Sequence, residues 1–256
     1  MERAAHTYVQ LCGHLVVELR GCRVEQRLPS RQGRVLFTYL VLQGPRPVGR
    51  DEMTDAIWGE APPRNHAAAV TVLLSKLRAA LGADVVAGRG DVRLALPPDA
   101  RVDVERALAA AHRAESAVVQ ADWARAWSAA LCAQYVAARP LLAGVDDLPW
   151  LDAWRRRLDD TYERALEAYV AACLGLGGTE LAGAERAARR LLDHNPLRET
   201  GYCLLMQALA ERGQVPEALR VYERARTVLR EELGIPPSPA IATLHMQLLE
   251  TREASA

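Results

Sequence analysis

Residues 184–225 read AERAARRLLDHNPLRETGYCLLMQALAERGQVPEALRVYERA and decide the fold of the C-terminal half. Ala218 follows Ala184 by 34 residues, the tetratricopeptide period. The first block, Ala184, Ala188, Leu191 and Pro196, is echoed by Gly213, Ala218, Tyr222 and Ala225. Small residues are needed where the two helices of a unit cross closely, and aromatic side chains fill the gap beside them. Such helix pairs stack, bury a continuous core and leave a concave face that commonly holds another protein.

Helical periodicity continues through the rest of the C-terminal half. It predicts helices at about 103–121, 122–137, 150–175, 180–194, 198–212, 214–233 and 238–251. A third, degenerate unit contains Ala126, Ala130 and Ala133, and an insertion at Trp150–Ala172 separates it from the others. We therefore predict an all-α, tetratricopeptide-like domain over residues 99–256.

The first 98 residues have a different order of elements, with strands before and after three helices. The predicted strands are Tyr8–Cys12, His14–Leu19 and Cys22–Gln26; the helices are 31–43 (capped by Ser30), 50–58 and 65–81; the closing hairpin pairs Val85–Ala87 with Val92–Leu96. A helix-turn-helix closed by a two-stranded wing has this order. We predict a winged helix-turn-helix over residues 1–98, and a fold class that is mainly α with a small β part (α+β).

Composition is that of an ordinary globular protein, and 256 residues suit two domains. No stretch approaches the ~18 apolar residues that span a bilayer, and the N-terminus lacks a secretory signal, so a soluble cytoplasmic protein is expected. Residues 1–99 carry 13 basic and 10 acidic residues, and residues 100–256 carry 19 and 22. This asymmetry weakly favours a DNA-binding N-terminal domain. The five cysteines lack metal-binding spacing and are expected to be buried free thiols.

The sequence predicts that the protein is not an enzyme and has neither cofactor nor metal. Motifs for nucleotide binding, acyl transfer and zinc hydrolysis are absent, and the six histidines are scattered. The pairs Asp146-Asp147 and Asp159-Asp160 are expected to lie on solvated surfaces rather than to bind metal.

The helix predicted at 65–81 has two faces of different chemistry. At about 100° per residue, an apolar stripe faces the core; it contains Val70, Leu74, Leu77 and Leu81. The opposite face contains Asn65, Ala68, Val72, Ser75, Lys76 and Ala79, with Thr71 and Arg78 on its flanks. Such a face suits a DNA major groove, where Ala and Val meet thymine methyls, Ser and Asn bond base edges, and Lys reaches guanine or phosphate.

Residues beside this helix extend the predicted DNA interface. Arg64 and His66, with the free N–H groups of the first helical turn, can hold a phosphate. Arg89 stands between Gly88 and Gly90 at the hairpin tip and can enter a minor groove. The two glycines are expected to supply positive φ angles. The alternative for the helix at 65–81 is an ordinary amphipathic helix with a solvated face. The alternative for Arg89 is a solvated loop arginine.

Three strings resemble the Streptomyces antibiotic regulatory protein family of actinobacterial activators. They are LPSRQGRVLFTYLVLQGPRPVGRDEMTDAIWGEAPP (28–63), AAVTVLLSKLRAALG (68–82) and RETGYCLLMQALAERGQVPEALRVYERARTVLREELGIPPSP (198–239). This family joins an OmpR-type winged helix to a bacterial transcriptional activation domain. The resemblance implies binding to promoter direct repeats, often as side-by-side protomers, and recruitment of RNA polymerase.

The same resemblance implies roles for single residues. Val72 and Lys76 would meet bases, Arg78 would meet the DNA backbone, and the loop Gly59–Arg64 would face polymerase. Val72 and Leu73 depart from the polar or aromatic residues common in the family, which leaves the target sequence open.

Two other functions remain open from the residues alone. The chain can be an interaction scaffold whose winged helix does not read DNA, or a regulator whose helical domain binds a small-molecule effector. Titration with promoter DNA at several salt concentrations tests the first, and a ligand-dependent shift in melting temperature tests the second.

Overall fold

The computed structural model describes residues 6–145 and 148–253, so the pair Asp146-Asp147 lies outside the described residues. The chain forms two compact units, each built from two stretches of sequence. The N-terminal unit consists of Met1–Arg106 and Val136–Leu158, and the helical unit of Ala107–Tyr135 and Asp159–Ala256. This division differs from the expected boundary between residues 98 and 99.

A four-stranded sheet opens the N-terminal unit, with the order β3-β2-β1-β6. Its strands are β1 (Tyr8–Gln10), β2 (Val16–Leu19), β3 (Cys22–Arg23) and β6 (Arg101–Val102). β1 and β2 pair antiparallel, whereas β6 joins β1 in parallel, with Val9 opposite Val102. The strand β6 was not predicted, because two residues are too few to show an alternating pattern. The third predicted strand is also shorter than expected, since Glu25–Arg27 forms a 3-10 turn.

Three helices and a hairpin follow in the predicted order. They are α1 (Ser30–Leu42), α2 (Arg50–Trp58), α3 (His66–Leu81) and the hairpin of β4 (Val86–Ala87) and β5 (Arg93–Leu94), which we call the wing. Ser30 does not cap α1, which corrects the expectation: its φ is +49° and no side-chain hydrogen bond caps the helix. The buried side chains of α1 include Leu36, Phe37 and Leu40, so this helix forms the centre of the unit.

Residues beyond 98 complete the N-terminal unit. The carboxylate of Asp103, 2% exposed, accepts hydrogen bonds from the backbone N–H groups of Leu11 (2.9 Å), Cys12 (3.0 Å) and Val104 (2.9 Å). Farther along, Trp150 Nε1 donates to the carbonyl oxygen of Ala56 at 2.9 Å. The bonds from Leu11, Cys12 and Trp150 join residues more than 90 positions apart, which explains why local sequence patterns did not reveal them.

Seven long helices carry the rest of the described chain. They are α4 (Asp103–Val119), α5 (Trp123–Ala137), α6 (Pro149–Leu176), α7 (Leu181–His194), α8 (Glu199–Glu211), α9 (Val215–Leu233) and α10 (Pro239–Glu253). Each begins and ends within about two residues of the predicted bounds, because amphipathic periodicity is a local property of the sequence.

Alanines form the first part of the helical-unit core. α4, α5 and α6 pack through three layers: Ala110, Ala111, Ala133 and Ala165; Ala114, Ala130 and Ala168; Ala117, Ala126 and Ala172. The alanines predicted for the degenerate third unit are therefore core residues.

The repeat alanines of the second part are also buried. Ala184, Ala188, Ala218 and Ala225 have no exposed surface. Tyr222 stacks on His245 with ring centroids 3.8 Å apart. The structure thus has a tetratricopeptide-like arrangement of helix pairs, in agreement with the predicted fold class.

Two further expectations concern the cysteines and membranes. All five cysteines are free, but only Cys12 and Cys173 are buried and Cys22 is exposed, which corrects the expectation of five buried thiols. Within residues 6–145 and 148–253, no helix is long and apolar enough to cross a membrane, and no cluster of potential metal ligands occurs.

Candidate nucleic-acid interface

α3 turns its apolar stripe inward, as its periodicity predicts. Val70, Leu74 and Leu77 have no exposed surface, and Leu73 and Leu81 are also buried. Leu73 therefore belongs to the core, which gives a structural reason for an apolar residue there. Burial of this stripe against α1 and α2 fixes which face α3 presents to solvent.

The opposite face of α3 is exposed at every predicted position. It presents Asn65, Ala68, Thr71, Val72, Ser75, Lys76 and Ala79. Val72 is 51% exposed, so its methyl groups are accessible from solvent. Among the described residues, no hydrogen bond or ion pair engages the ammonium group of Lys76. We call this surface the α3 face.

The first turn of α3 suits an anion. Its flanking side chains Arg64, Asn65 and His66 are exposed, and the turn contains no acidic residue. Asn65 makes no side-chain cap, so the N–H groups of this turn remain open to another acceptor. The positive end of the helix dipole is therefore not neutralised by the helix itself.

Arg50 holds the α3 face and the wing together. Its Nη1 donates to Thr71 Oγ1 at 2.9 Å, and its Nη2 donates to the carbonyl oxygen of Arg89 at 3.2 Å. The Thr71 hydroxyl in turn donates to the carbonyl oxygen of Ala67 at 2.9 Å. This role of Arg50 was not predicted, because nothing in the RDEMTDAIW pattern indicates that its first residue contacts another helix and a hairpin.

Arg78 also contacts the wing. Its Nη2 donates to the carbonyl oxygen of Gly88 at 2.6 Å and its Nε to that of Val86 at 3.3 Å. The side chain lies on the flank of α3, as expected, but two of its N–H donors are used within the protein. A role at the DNA backbone, which the resemblance implies, stays a prediction.

The wing tip places Arg89 in solvent. Gly88 has a φ of +97°, and a Cβ there would lie 2.0 Å from the carbonyl oxygen of Asp91, so only glycine fits. Gly90 has no positive φ and open space around it, which corrects the expectation that both glycines serve the turn. Backbone hydrogen bonds between Val48 and Val92, of 2.8 and 2.9 Å, anchor the hairpin.

Comparison with known proteins identifies a family and several relatives. A family model described as the bacterial transcriptional activator domain matches residues 102–249. The regulatory protein AfsR of Streptomyces griseus is 32% identical over 234 residues, which are 88% of this chain and 23% of AfsR. The transcriptional regulatory protein EmbR of Mycobacterium tuberculosis (strain ATCC 25618 / H37Rv) is 27% identical over 252 residues, which are 96% of this chain and 64% of EmbR.

A solved structure has the same fold. The structure of Mycobacterium tuberculosis EmbR in complex with a low affinity phosphopeptide matches with a TM-score of 0.83 at 24% identity. The match covers 97% of this chain and 65% of that chain. The chain spans about a quarter of the length of AfsR and about two thirds of that of EmbR.

Proposed function

Because the chain belongs to the bacterial transcriptional activator domain family, we propose that it is a transcriptional activator that binds promoter DNA sequence-specifically. The resemblance to the Streptomyces antibiotic regulatory protein family is confirmed by the same matches. The observation that carries the proposal is the α3 face, which combines exposed apolar and small side chains with an unpartnered ammonium group.

Different residues of the α3 face can make different contacts with DNA. Ala68 and Val72 offer methyl groups to thymine, Asn65 and Ser75 offer hydrogen bonds to base edges, and Lys76 reaches guanine or phosphate. Because all five lie on one side of a helix whose other side is buried, they can enter a major groove together. The apolar contact of Val72 is then the main element of base recognition.

Phosphate contacts lie at the two ends of this surface. Arg64 and the first turn of α3 hold one phosphate at the open N–H groups. Arg89 holds the DNA at the wing, in the minor groove or on its backbone. Arg50 acts through the protein, since its hydrogen bonds set the position of the wing relative to α3. Arg78 also bonds the wing, and its remaining N–H donors meet the DNA backbone.

Activation requires contact with the transcription machinery as well as DNA. We infer that the helical unit and the loop Gly59–Arg64 contact RNA polymerase holoenzyme, and that two protomers bind direct repeats side by side. The protein would act in the cytoplasm, at the nucleoid, without cofactor and without enzymatic activity.

The test begins with duplexes selected by the purified protein from random DNA. Lys76→Ala should weaken binding to the selected site by about 1–3 kcal/mol if the lysine reads a base, and should relax preference at one position. If Lys76 touches only phosphate, the loss should be equal on all sequences and the salt slope should fall by about one.

Two further variants complete the experiment. Arg89→Ala should lower affinity without changing the preferred sequence, because a wing supplies backbone or minor-groove contact. Arg113→Ala, at an exposed position of α4, serves as the control and should bind as the wild type does. Absence of salt-dependent DNA binding by the wild type would favour a scaffold, and DNA binding that requires an added metabolite would favour an effector-gated regulator.

A further inference from the structure

A pocket of about 410 Å³ lies in the N-terminal unit. Three segments that are far apart in the chain line it: residues 13–15 between β1 and β2, residues 30–34 at the start of α1, and residues 142–145. Small-molecule sites in proteins typically have volumes of about 300–1,000 Å³. None of the lining residues belongs to the α3 face or the wing, so the pocket is a separate candidate for binding.

Backbone hydrogen bonds hold one wall of this pocket in place. The N–H of Gly13 donates to the carbonyl oxygen of Pro140 at 2.8 Å, and the N–H of Leu142 donates to that of Leu11 at 3.1 Å. Segment 142–145 therefore begins at a fixed position beside the end of β1. The pocket is part of the fold of this unit rather than a gap beside a loose loop.

Two arginines give the pocket an excess of positive charge. Arg31 and Arg34 lie about one turn apart on α1, and both line the pocket with exposed side chains. Within the part of the chain that the structure describes, no hydrogen bond or ion pair engages either guanidinium group, and no acidic side chain lines the pocket. Both positive charges are therefore available to a ligand.

The other polar groups of the pocket can also donate hydrogen bonds. Ser30 offers a hydroxyl group and His14 an imidazole N–H, and both residues are exposed. No side-chain hydrogen bond caps α1, so the N–H groups of its first turn are open to an acceptor from outside the helix. The positive end of the α1 dipole adds to the charge of the arginines. These groups together match an anion.

The number of donors favours a phosphate group over a carboxylate. A carboxylate carries a single negative charge, whereas a phosphate monoester carries about −1.5 to −2 at pH 7 and has three strong acceptor oxygens. Two guanidinium groups can share these three oxygens, each through a pair of N–H donors. The remaining wall is apolar, with Leu15, Leu142 and Val145, so it can cover an organic group attached to the phosphate.

We propose that this pocket binds a small phosphate monoester, with the phosphate group between Arg31 and Arg34 and the organic group against Leu142 and Val145. Such a ligand contacts α1 and segment 142–145 at once, so it should also raise the melting temperature of the protein. The proposal goes beyond DNA binding and does not depend on it, because the pocket shares no residue with the α3 face.

Isothermal titration calorimetry of the full chain tests the proposal, with phenyl phosphate as the probe. Phenyl phosphate should bind at one site per chain. Benzoate has the same ring with one negative charge, and inorganic phosphate lacks the ring, so both should bind more weakly, benzoate by about tenfold or more. Equal affinities for phenyl phosphate and benzoate would contradict a phosphate site, and absence of phenyl phosphate binding at millimolar concentration would overturn the proposal.

Substitutions show whether the probe binds in the pocket. Arg31→Gln and Arg34→Gln should each lower the affinity for phenyl phosphate about tenfold or more, because each removes a charged hydrogen-bond donor. Arg34→Lys keeps the charge but not the paired donors, so its affinity should lie between those of the wild type and Arg34→Gln. Arg27→Gln is the matched control, since Arg27 is exposed but does not line the pocket, and it should bind as the wild type does. Equal losses in Arg27→Gln and Arg34→Gln would indicate general attraction to a basic surface and would refute a specific site.

Carboxylates of the chain itself are a competing source of negative charge. Asp146 and Asp147 follow Val145 in the sequence and lie outside the described residues. The double variant Asp146→Asn/Asp147→Asn should bind phenyl phosphate at least as tightly as the wild type. If only the double variant binds it, the carboxylates of the protein neutralise the arginines and the proposal is wrong.

DNA is a second source of phosphate groups, and the outcomes separate it from a small ligand. If Arg31→Gln and Arg34→Gln weaken binding to the selected duplex while phenyl phosphate does not bind the wild type, the pocket contacts the DNA backbone and the proposal fails. If the variants bind the duplex as the wild type does and phenyl phosphate does not bind, the proposal fails and the proposed function stands. If phenyl phosphate binds as expected and no duplex is selected, the pocket stands and the proposed function fails.

Discussion

Replacing Asp103 with alanine is expected to destabilise the N-terminal unit more than any surface substitution. The carboxylate is 2% exposed and accepts three backbone N–H groups, two of them from Leu11 and Cys12 at the end of β1. Leu11 and Cys12 are themselves fully buried, so water cannot replace the lost acceptor. An unsatisfied buried donor costs about 1–3 kcal/mol, so the two strand donors together predict a loss of about 2–6 kcal/mol.

Asp103→Asn is the matched variant. Its amide oxygen can still accept from Leu11 and Val104, but its NH₂ group then faces the N–H of Cys12, so about half of the loss should remain. Burial raises the pKa of the Asp103 carboxyl, and a neutral amide avoids the desolvation of a charge, which also makes asparagine the milder change.

Urea unfolding followed by tryptophan fluorescence measures both variants. Trp58, Trp150 and Trp154 report on the N-terminal unit. Asp103→Ala should lower the free energy of unfolding more than Asp103→Asn does, in the unfolding transition that these tryptophans report. A loss below about 0.5 kcal/mol for Asp103→Ala is the size of an ordinary surface substitution, and it would refute the role of this carboxylate.

Three other predictions concern the boundary at residue 98, the repeat residue Ala218 and the ion pair of Glu115. A fragment that ends at residue 98 should lack a cooperative unfolding transition, because it loses β6 and Asp103; a fragment with near-UV circular dichroism like that of the full chain would contradict this. Ala218→Leu should cost about 1–3 kcal/mol in denaturant unfolding, since Ala218 has no exposed surface, and a neutral effect would mean that the 34-residue spacing is a coincidence. The hydrogen bond from Arg164 lowers the pKa of Glu115, so this pair stabilises the helical unit above pH 4.5 and the contribution is lost as the pH falls further. Glu115→Gln should therefore show a smaller loss of melting temperature on acidification than the wild type.

Local sequence patterns predicted most of the secondary structure and which side of α3 is exposed. The apolar stripe of α3 repeats every three to four residues, so its burial also determined that Val72 and Lys76 are exposed. The repeat at Ala184 and Ala218 similarly predicted buried alanines. These inferences needed only the spacing of residues along the sequence.

Contacts between distant residues were beyond such patterns. Arg50 and Arg78 carry no sequence signal that they reach the wing, and their hydrogen bonds appear only when a helix and a hairpin are brought together. Cys22 was expected to be buried from its residue type alone, yet β3 lies at the edge of the sheet and leaves it exposed.

The sequence by itself determined the helix bounds, the tetratricopeptide-like repeat, the winged-helix order and the exposed face of α3, because each of these follows from the spacing of residues along one short segment. The tertiary structure alone decided that β6, Asp103 and Trp150 complete the N-terminal unit and that the start of α1 and the segments 13–15 and 142–145 line one pocket. Both results depend on which segments far apart in the chain become neighbours. Which segments become neighbours depends on the burial of backbone donors and apolar surface over the whole unit, and no short stretch of sequence indicates it.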